Sequence, residues 1–119
     1  MAGKIIADTL EHSTAGSVTT DYVVNGSAKA WARSGSASIN ESLNTSGFTD
    51  NGTGDYTIAF SSAFSTNTFA GTTAGLGAAA RSVTYSNSQT TSIDLDTFAS
   101  TTGSRTDTAT GFQINGDLA

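Results

Sequence analysis

Two short stretches of this chain alternate regularly between large apolar side chains and smaller or polar ones. In residues 56–60 (YTIAF) the large side chains occupy every second position, and in residues 93–96 (IDLD) isoleucine and leucine alternate with aspartate. Successive side chains of a β-strand point to opposite faces of a sheet, so both stretches predict strands with one buried and one solvated face. Antiparallel sheets tolerate such a wet face. The pattern therefore favours an antiparallel all-β fold.

The residues between these stretches are mostly small and polar. The chain contains 13 glycines and no proline, and its six Phe, three Tyr and one Trp are spread along its length. Threonine-rich, aromatic-containing runs broken by Gly and Asn favour short strands over helices. On this basis we predict strands at residues 17–24, 28–33, 36–43, 55–61, 68–71, 81–86, 91–98 and 112–114. Residues 5–11 fit a short helix or an extended arm equally well.

Short strands at close spacing within 119 residues predict one domain. We expect a single antiparallel β-sandwich of jelly-roll-like form over residues 18–119, preceded by an N-terminal docking arm over residues 1–17. Large side chains are sparse, and apolar burial must offset about 1–2 kcal/mol of chain entropy per residue. The sequence therefore favours association, with Tyr22, Val24 and Trp31 as subunit contacts, over a marginal monomer.

The N-terminal segment carries three large apolar side chains apart from the threonine-rich strands. They are Ile5, Ile6 and Leu10, and the polar stretch 12–16 follows them. Isolated apolar side chains next to a flexible stretch are typical of a segment that reaches a neighbouring chain. We therefore predict a docking arm. The alternative is that the same three residues complete the core of the domain itself.

Composition excludes several functional classes. With no cysteine the chain has no disulfides, thiol nucleophiles or thiolate zinc sites. Its net charge is −5, and five scattered cations form no basic stripe that would follow a phosphate backbone. No apolar run approaches the roughly 18 residues of a membrane span, and no signal-like run follows Met1. We expect no nucleic-acid binding and no membrane insertion.

The segment DNGTGD contains a strong hairpin signal. Asn51-Gly52 favours a type I′ turn, because both residues reach positive φ at low cost. Asp50 and Asp55 flank it, but their spacing lacks the alternating ligands of a calcium loop, and no base lies nearby for catalysis. We therefore predict a plain turn that exposes four residues as a tip loop, namely Asn51, Gly52, Thr53 and Gly54.

Three further features have a chemical and a plainer interpretation. Asp94 and Asp96 lie on the same face of a predicted strand. They could form a weak cation site, but we favour a solvated strand edge. Trp31 could stack on a sugar, but we favour the core or a subunit contact for it. The single histidine, His12, has no acidic partner at triad spacing. We therefore predict neither enzymatic activity nor a cofactor.

Residues 4–31 (KIIADTLEHSTAGSVTTDYVVNGSAKAW), together with the later run ESLNTSGFTDNGTGDYTIAF, carry a family resemblance. The chain resembles small tail fibre and fibre-tip proteins of tailed bacteriophages, particularly marine ones. Four segments recur there in the same order, at residues 29–31, 42–44, 50–57 and 90–92 of this chain. The hairpin DNGTGDYT is the most specific of them. Two segments depart from the pattern, namely residues 32–34 after the tryptophan and the closing stretch FQINGDLA.

The resemblance implies a non-enzymatic, β-rich virion component that is typically a homotrimer. It implies other tail or capsid proteins as partners, and a glycan or protein receptor on the host surface. Decoration of the capsid surface, as a head fibre or cement protein, is the alternative within that class. Outside it, a calcium-dependent carbohydrate-binding module and a carbohydrate-degrading spike enzyme remain as alternatives, and the latter requires paired carboxylates in a groove.

Overall fold

The structure is a computed structural model that describes residues 3–77 and 80–119. In chain order its elements are β1 (Thr9–His12), β2 (Gly16–Thr19), α1 (Thr20–Gly26), β3 (Ala28–Ser34), β4 (Ile39–Leu43), β5 (Thr45–Gly52), β6 (Asp55–Phe60), β7 (Ala70–Leu76), β8 (Arg81–Ser86), β9 (Ser92–Ala99) and β10 (Ala109–Asn115). Every strand pairing among them is antiparallel. The predicted antiparallel, mostly β class is confirmed.

Eight strands form two four-stranded sheets, in the orders β4-β3-β10-β7 and β5-β6-β9-β8. One hydrophobic core joins them, and its buried members come from both sheets and from the connection between β6 and β7: Ala30, Ala32, Tyr56, Ile58, Phe60, Phe64, Phe69, Ile93, Leu95, Phe112 and Ile114. The large side chains of β6 and the Ile and Leu of β9 all belong to it. The alternation predicted for residues 56–60 and 93–96 is therefore confirmed. We call residues 28–119 the β-sandwich-like body.

A third sheet lies outside this body. Strands β1 and β2 pair only with each other, as a two-stranded hairpin. The prediction of a single sandwich is therefore wrong. The jelly-roll-like path is also not seen. Consecutive strands pair as hairpins within their own sheet, instead of crossing to the other sheet, at β3–β4, β5–β6 and β8–β9. Residues 18–26, which the sequence places in the domain, lie with β1 instead. We call residues 3–26 the hairpin–helix arm.

The predicted strand 17–24 ends at Thr19 and continues as helix α1. The amide and the hydroxyl of Thr20 donate to Asp8 O and Ala7 O over 2.9 and 2.8 Å, which ties the helix start to the chain before β1. Asp21 lies in the first turn, where a negative charge is favourable. These local contacts outweigh the strand preference of the two valines that follow.

Strand β5 is absent from the sequence-based prediction. Gly47, Asn51 and Gly52 are turn formers, so residues 45–52 look like a loop. Pairing with β6 along the hairpin nevertheless holds this segment extended, with register shifts on both sides of its centre. Strand formation here is set by the neighbouring strand, since β preference depends on context.

Strands β7 and β8 close one edge of the body, where the two sheets meet. Thr73 Oγ1 donates to Val83 O over 2.6 Å across this edge. A Cβ on Gly75 would lie 2.9 Å from the Cβ of Arg81, so the approach of the two strands requires glycine there. The predicted strand 68–71 is therefore too short, because close packing extends β7 through its glycines to Leu76.

The molecule is more extended than a compact chain of this size. The radius of gyration is 16.8 Å, whereas a compact domain of this length has about 13.5 Å. In the described part of the chain, no helix is long and apolar enough to cross a bilayer.

Candidate functional site

The hairpin–helix arm carries most of the exposed large apolar side chains in the described part of the chain. Seven of its large apolar side chains are exposed: Ile5 (91%), Ile6 (81%), Leu10 (45%), Val18 (39%), Tyr22 (73%), Val23 (43%) and Val24 (54%). Among the other described residues only Trp31, Leu43 and Leu118 join this class. The alternative in which Ile5, Ile6 and Leu10 complete the core is therefore wrong, because none of them reaches it.

The arm also brings the three predicted docking residues together. Ile5, Ile6 and Leu10 line one cavity of about 520 Å³, and Val24 of α1 lines it too. Tyr22 lies at a separate cavity of about 720 Å³, between Thr19 and the helix end at Gly26. A third cavity, of about 340 Å³, lies on the β1–β2 hairpin between Leu10 and Val18. The arm thus presents three concave surfaces.

Hydrogen bonds hold the arm in shape and connect its end to the body. At the turn between β1 and β2, His12 Nδ1 accepts from the amides of Thr14 and Ala15 over 3.3 and 3.1 Å. This gives the single histidine a structural role. At the other end of the arm, Asn115 Nδ2 donates to Gly26 O over 2.5 Å, and Lys29 Nζ donates to the oxygens of Val24 and Ser27. A cation at a helix C-terminus is favourable.

These bonds give little independent stability. No residue of α1 is buried, and its seven residues are mostly poor helix formers. An isolated helix of this length and an isolated two-stranded hairpin are both marginal in water. The arm is therefore the part of the chain with most to gain from a covering partner.

Trp31 lies apart from the arm, on the outer face of the sheet β4-β3-β10-β7. It is 37% exposed, while Ala30 on the opposite face is fully buried. Its cross-strand neighbours are Leu43 on β4 and Gln113 on β10. The core interpretation of Trp31 is wrong, because strand alternation turns it outward. Its role as a subunit contact stays a prediction, as it does for Tyr22 and Val24.

The hairpin end at residues 50–55 differs from the predicted tip loop. Asn51 and Gly52 belong to β5, and the two connecting residues are Thr53 and Gly54. Gly52 and Gly54 have φ of +140° and +67°. Gly54 is buried, so its assignment to an exposed loop is wrong, whereas Asn51, Gly52 and Thr53 are exposed. A Cβ on Gly54 would lie 2.5 Å from Thr97 O and 2.8 Å from Thr106 N, since β9 and the chain after it pack against this turn.

The carboxylates at this end have structural partners. Asp55 and Asp96 are cross-strand neighbours, and Arg105 contacts both, at 3.3 and 2.6 Å. Like charges opposite each other in a sheet are unfavourable, so the guanidinium stabilises this pairing. Arg105 also lies 5.6 Å above the centre of the Phe98 ring. Asp50 Oδ1 accepts from the amide of Gly52 over 3.0 Å.

Asp107 connects the turn to the core. Its Oδ1 accepts from the amide of Gly54 over 2.8 Å and from the hydroxyl of Tyr56 over 3.1 Å. Burial, together with the hydrogen bond to Asp107 and its negative charge, raises the pKa of Tyr56 to about 12. No local pattern predicts this contact, because 51 residues separate the two side chains.

Asp94 and Asp96 lie on β9, which pairs on both sides, so the predicted solvated edge is wrong. Asp94 accepts from Thr57 Oγ1 and Asn87 Nδ2 over 2.7 and 2.8 Å. Among residues 3–77 and 80–119, no group of three or more His, Cys, Asp or Glu side chains is arranged to hold a metal ion. The outer face of this sheet is a hydrogen-bonded polar surface.

No protein-family model matches the chain, and no curated protein or solved structure matches it either.

Proposed function

We propose that this chain is a non-enzymatic structural component of a tailed bacteriophage virion, acting as a short trimeric tail fibre or fibre tip that contributes to host attachment. The resemblance of residues 4–31 and of the DNGTGDYT hairpin supports the class of protein. The observation that carries the proposal is the exposure of seven large apolar side chains on a segment outside both four-stranded sheets.

The arm is the docking element in this proposal. Burying a large aliphatic side chain contributes about 1.5–3 kcal/mol, so Ile5, Ile6 and Leu10 together supply an anchor of several kcal/mol. Because the three side chains line one cavity, a single apolar projection on a tail or capsid protein, or on an adjacent subunit, can contact all of them. Docking also supplies the tertiary contacts that α1 lacks.

The β-sandwich-like body is the adhesive part. Asn51, Gly52 and Thr53 at the end of β5 are exposed, and we assign the contact with a host glycan or protein receptor to this end of the body. The turn is held by Asp107 and Arg105 through Gly54. A rigid turn lowers the entropy lost on binding.

A decoration protein on the capsid surface would use the same arm, so location separates the two candidates. Tagged protein incorporated into particles should be seen at the tail by electron microscopy of antibody-labelled virions. Labelling of the head would instead indicate a capsid decoration protein and contradict the assignment as a tail fibre.

Deletion of residues 2–12 tests the arm. The truncated chain should keep a cooperative melt, because the core lies within residues 30–114, and should no longer enter particles. Leu118→Ser, which changes an exposed apolar residue outside the arm, is the matched control and should be incorporated normally. Normal incorporation of the truncated chain would contradict the proposal. So would sedimentation of the intact chain as a clean monomer at micromolar concentration.

A further inference from the structure

A second exposed apolar surface lies on the body. Trp31 and Leu43 are cross-strand partners on β3 and β4, and they are 37% and 48% exposed. Strand β4 is the edge of its sheet. We call this pair the Trp31–Leu43 face. An exposed strand edge beside an apolar pair is a surface that proteins normally cover.

Cyclic symmetry restricts what can cover it. Three identical chains close into a ring only through a contact between two different surfaces, repeated around the axis. The described residues offer two apolar surfaces of more than one side chain, the hairpin–helix arm and the Trp31–Leu43 face. Leu118 is a single residue, in a bridge with Phe64 near the C-terminus.

The charges of the two surfaces are complementary. The arm carries three carboxylates, on Asp8, Glu11 and Asp21, against one lysine. On β3, cationic residues stand two positions on either side of Trp31. Arg33 is the cross-strand partner of Glu41 on β4, and the ammonium of Lys29 also contacts the oxygens of Val24 and Ser27 in its own copy. An arm with net negative charge therefore meets a face with net positive charge, which favours this pairing over arm against arm.

We propose that the arm of one copy packs on the Trp31–Leu43 face of the next copy and so closes the ring. This inference rests on the proposed trimer and assigns its interface. Each arm gains the tertiary contacts that α1 lacks, and each β4 edge is covered by its neighbour. The interface is heterologous, and it buries Tyr22 or Val24 of one copy near Trp31 of another.

Engineered disulfides test the interface, because the chain has no native cysteine. In the double variant Asp21→Cys with Arg33→Cys, one thiol lies on α1 and the other on the Trp31–Leu43 face, two residues from Trp31 on β3. The matched control combines Asp21→Cys with Thr84→Cys, since Thr84 is exposed on the opposite sheet. After mild oxidation, the first variant should run as covalent multimers on non-reducing gels. The control should remain monomeric.

The outcomes separate the interface from the assembly. A trimer by sedimentation without cross-linked multimers would overturn the inference and leave the proposed trimer intact. A monomer by sedimentation would overturn both. Cross-linking between two copies of the single variant Asp21→Cys would show that the arms contact each other, which would also overturn the inference.

Trp31 supplies a second, independent measurement, because it is the single tryptophan of the chain. Its fluorescence emission should shift to the blue on assembly and return to the red on dilution or on deletion of residues 2–26. Trp31→Ala should raise the dissociation constant of the trimer by about tenfold or more, as expected for a central aromatic contact. Unchanged emission across the dissociation range would contradict the inference.

Discussion

Alanine substitutions at two glycines of similar conformation isolate the effect of the close contact at the DNGTGD turn. Gly54 and Gly103 have φ of +67° and +70°. A residue with a side chain in this left-handed backbone region lowers the free energy of unfolding by about 1–2 kcal/mol. No atom lies within 4 Å of a Cβ built on Gly103, whereas at Gly54 that Cβ would lie 2.5 Å from Thr97 O and 2.8 Å from Thr106 N. Gly103→Ala therefore measures the backbone cost alone, and Gly54→Ala adds the displacement of the turn.

The displacement breaks a set of hydrogen bonds around Gly54. Its carbonyl accepts from Thr97 N over 2.9 Å and from Arg105 Nη1 over 3.2 Å, and its amide donates to Asp107 over 2.8 Å. At about 0.5–1 kcal/mol net for each bond, added to the backbone cost, Gly54→Ala should cost about 3–5 kcal/mol in unfolding free energy, against about 1–2 kcal/mol for Gly103→Ala.

Thermal melts followed by circular dichroism should separate the two variants. At about 4 °C per kcal/mol for a domain of this size, Tm should fall by about 4–8 °C in Gly103→Ala and about 12–20 °C in Gly54→Ala. Equal losses in the two variants would refute the argument that Gly54 is required by close packing.

Three further predictions concern the same end of the body. The free energy of unfolding should fall by about 2–3 kcal/mol between pH 10 and pH 12, because the unfolded chain releases the Tyr56 proton near pH 10 while the folded chain holds it. Denaturant melts of Tyr56→Phe should show a shallower decline, and an unchanged slope would contradict this. Arg105→Met should lower stability by about 1–2 kcal/mol, since it leaves Asp55 opposite Asp96 and removes the contact with Phe98. The charge-matched Arg81→Met removes a guanidinium that bonds to the adjacent Ala80 O, and it should change stability much less. A calcium chelator should leave Tm unchanged, and a drop of many degrees would instead indicate a bound ion.

Much of the body follows from local pattern in the sequence. Strand β8 lies at its predicted residues, 81–86, and the buried side of β6 is the one that alternation indicates. Such segments are predictable because each residue's preference and its burial agree. Strand β5 is different, because its glycines and asparagine favour a turn, and only pairing with β6 makes it a strand.

The candidate site was partly predictable for a similar reason. The apolar character of Ile5, Ile6 and Leu10 indicated a surface for contact, and the structure leaves all three exposed. The helix at residues 20–26 was not predictable, since two consecutive valines favour a strand and the decisive bonds come from Ala7 and Asp8. The burial of Gly54 depends on residues 97–107, which no local pattern connects to the turn.

The position of β10 has a consequence for the synthesis of the protein. This last strand pairs with both β3 and β7 in the middle of its sheet, and Thr110 faces Ser34 across 76 positions of chain. Contacts of such long range form late and slowly. During synthesis, the arm leaves the ribosome while the body still lacks the strand that closes it. A nascent chain therefore exposes the apolar side chains of its arm before it has a folded domain to carry them, and premature termination before Ala109 releases a product with the arm and without the completed sheet.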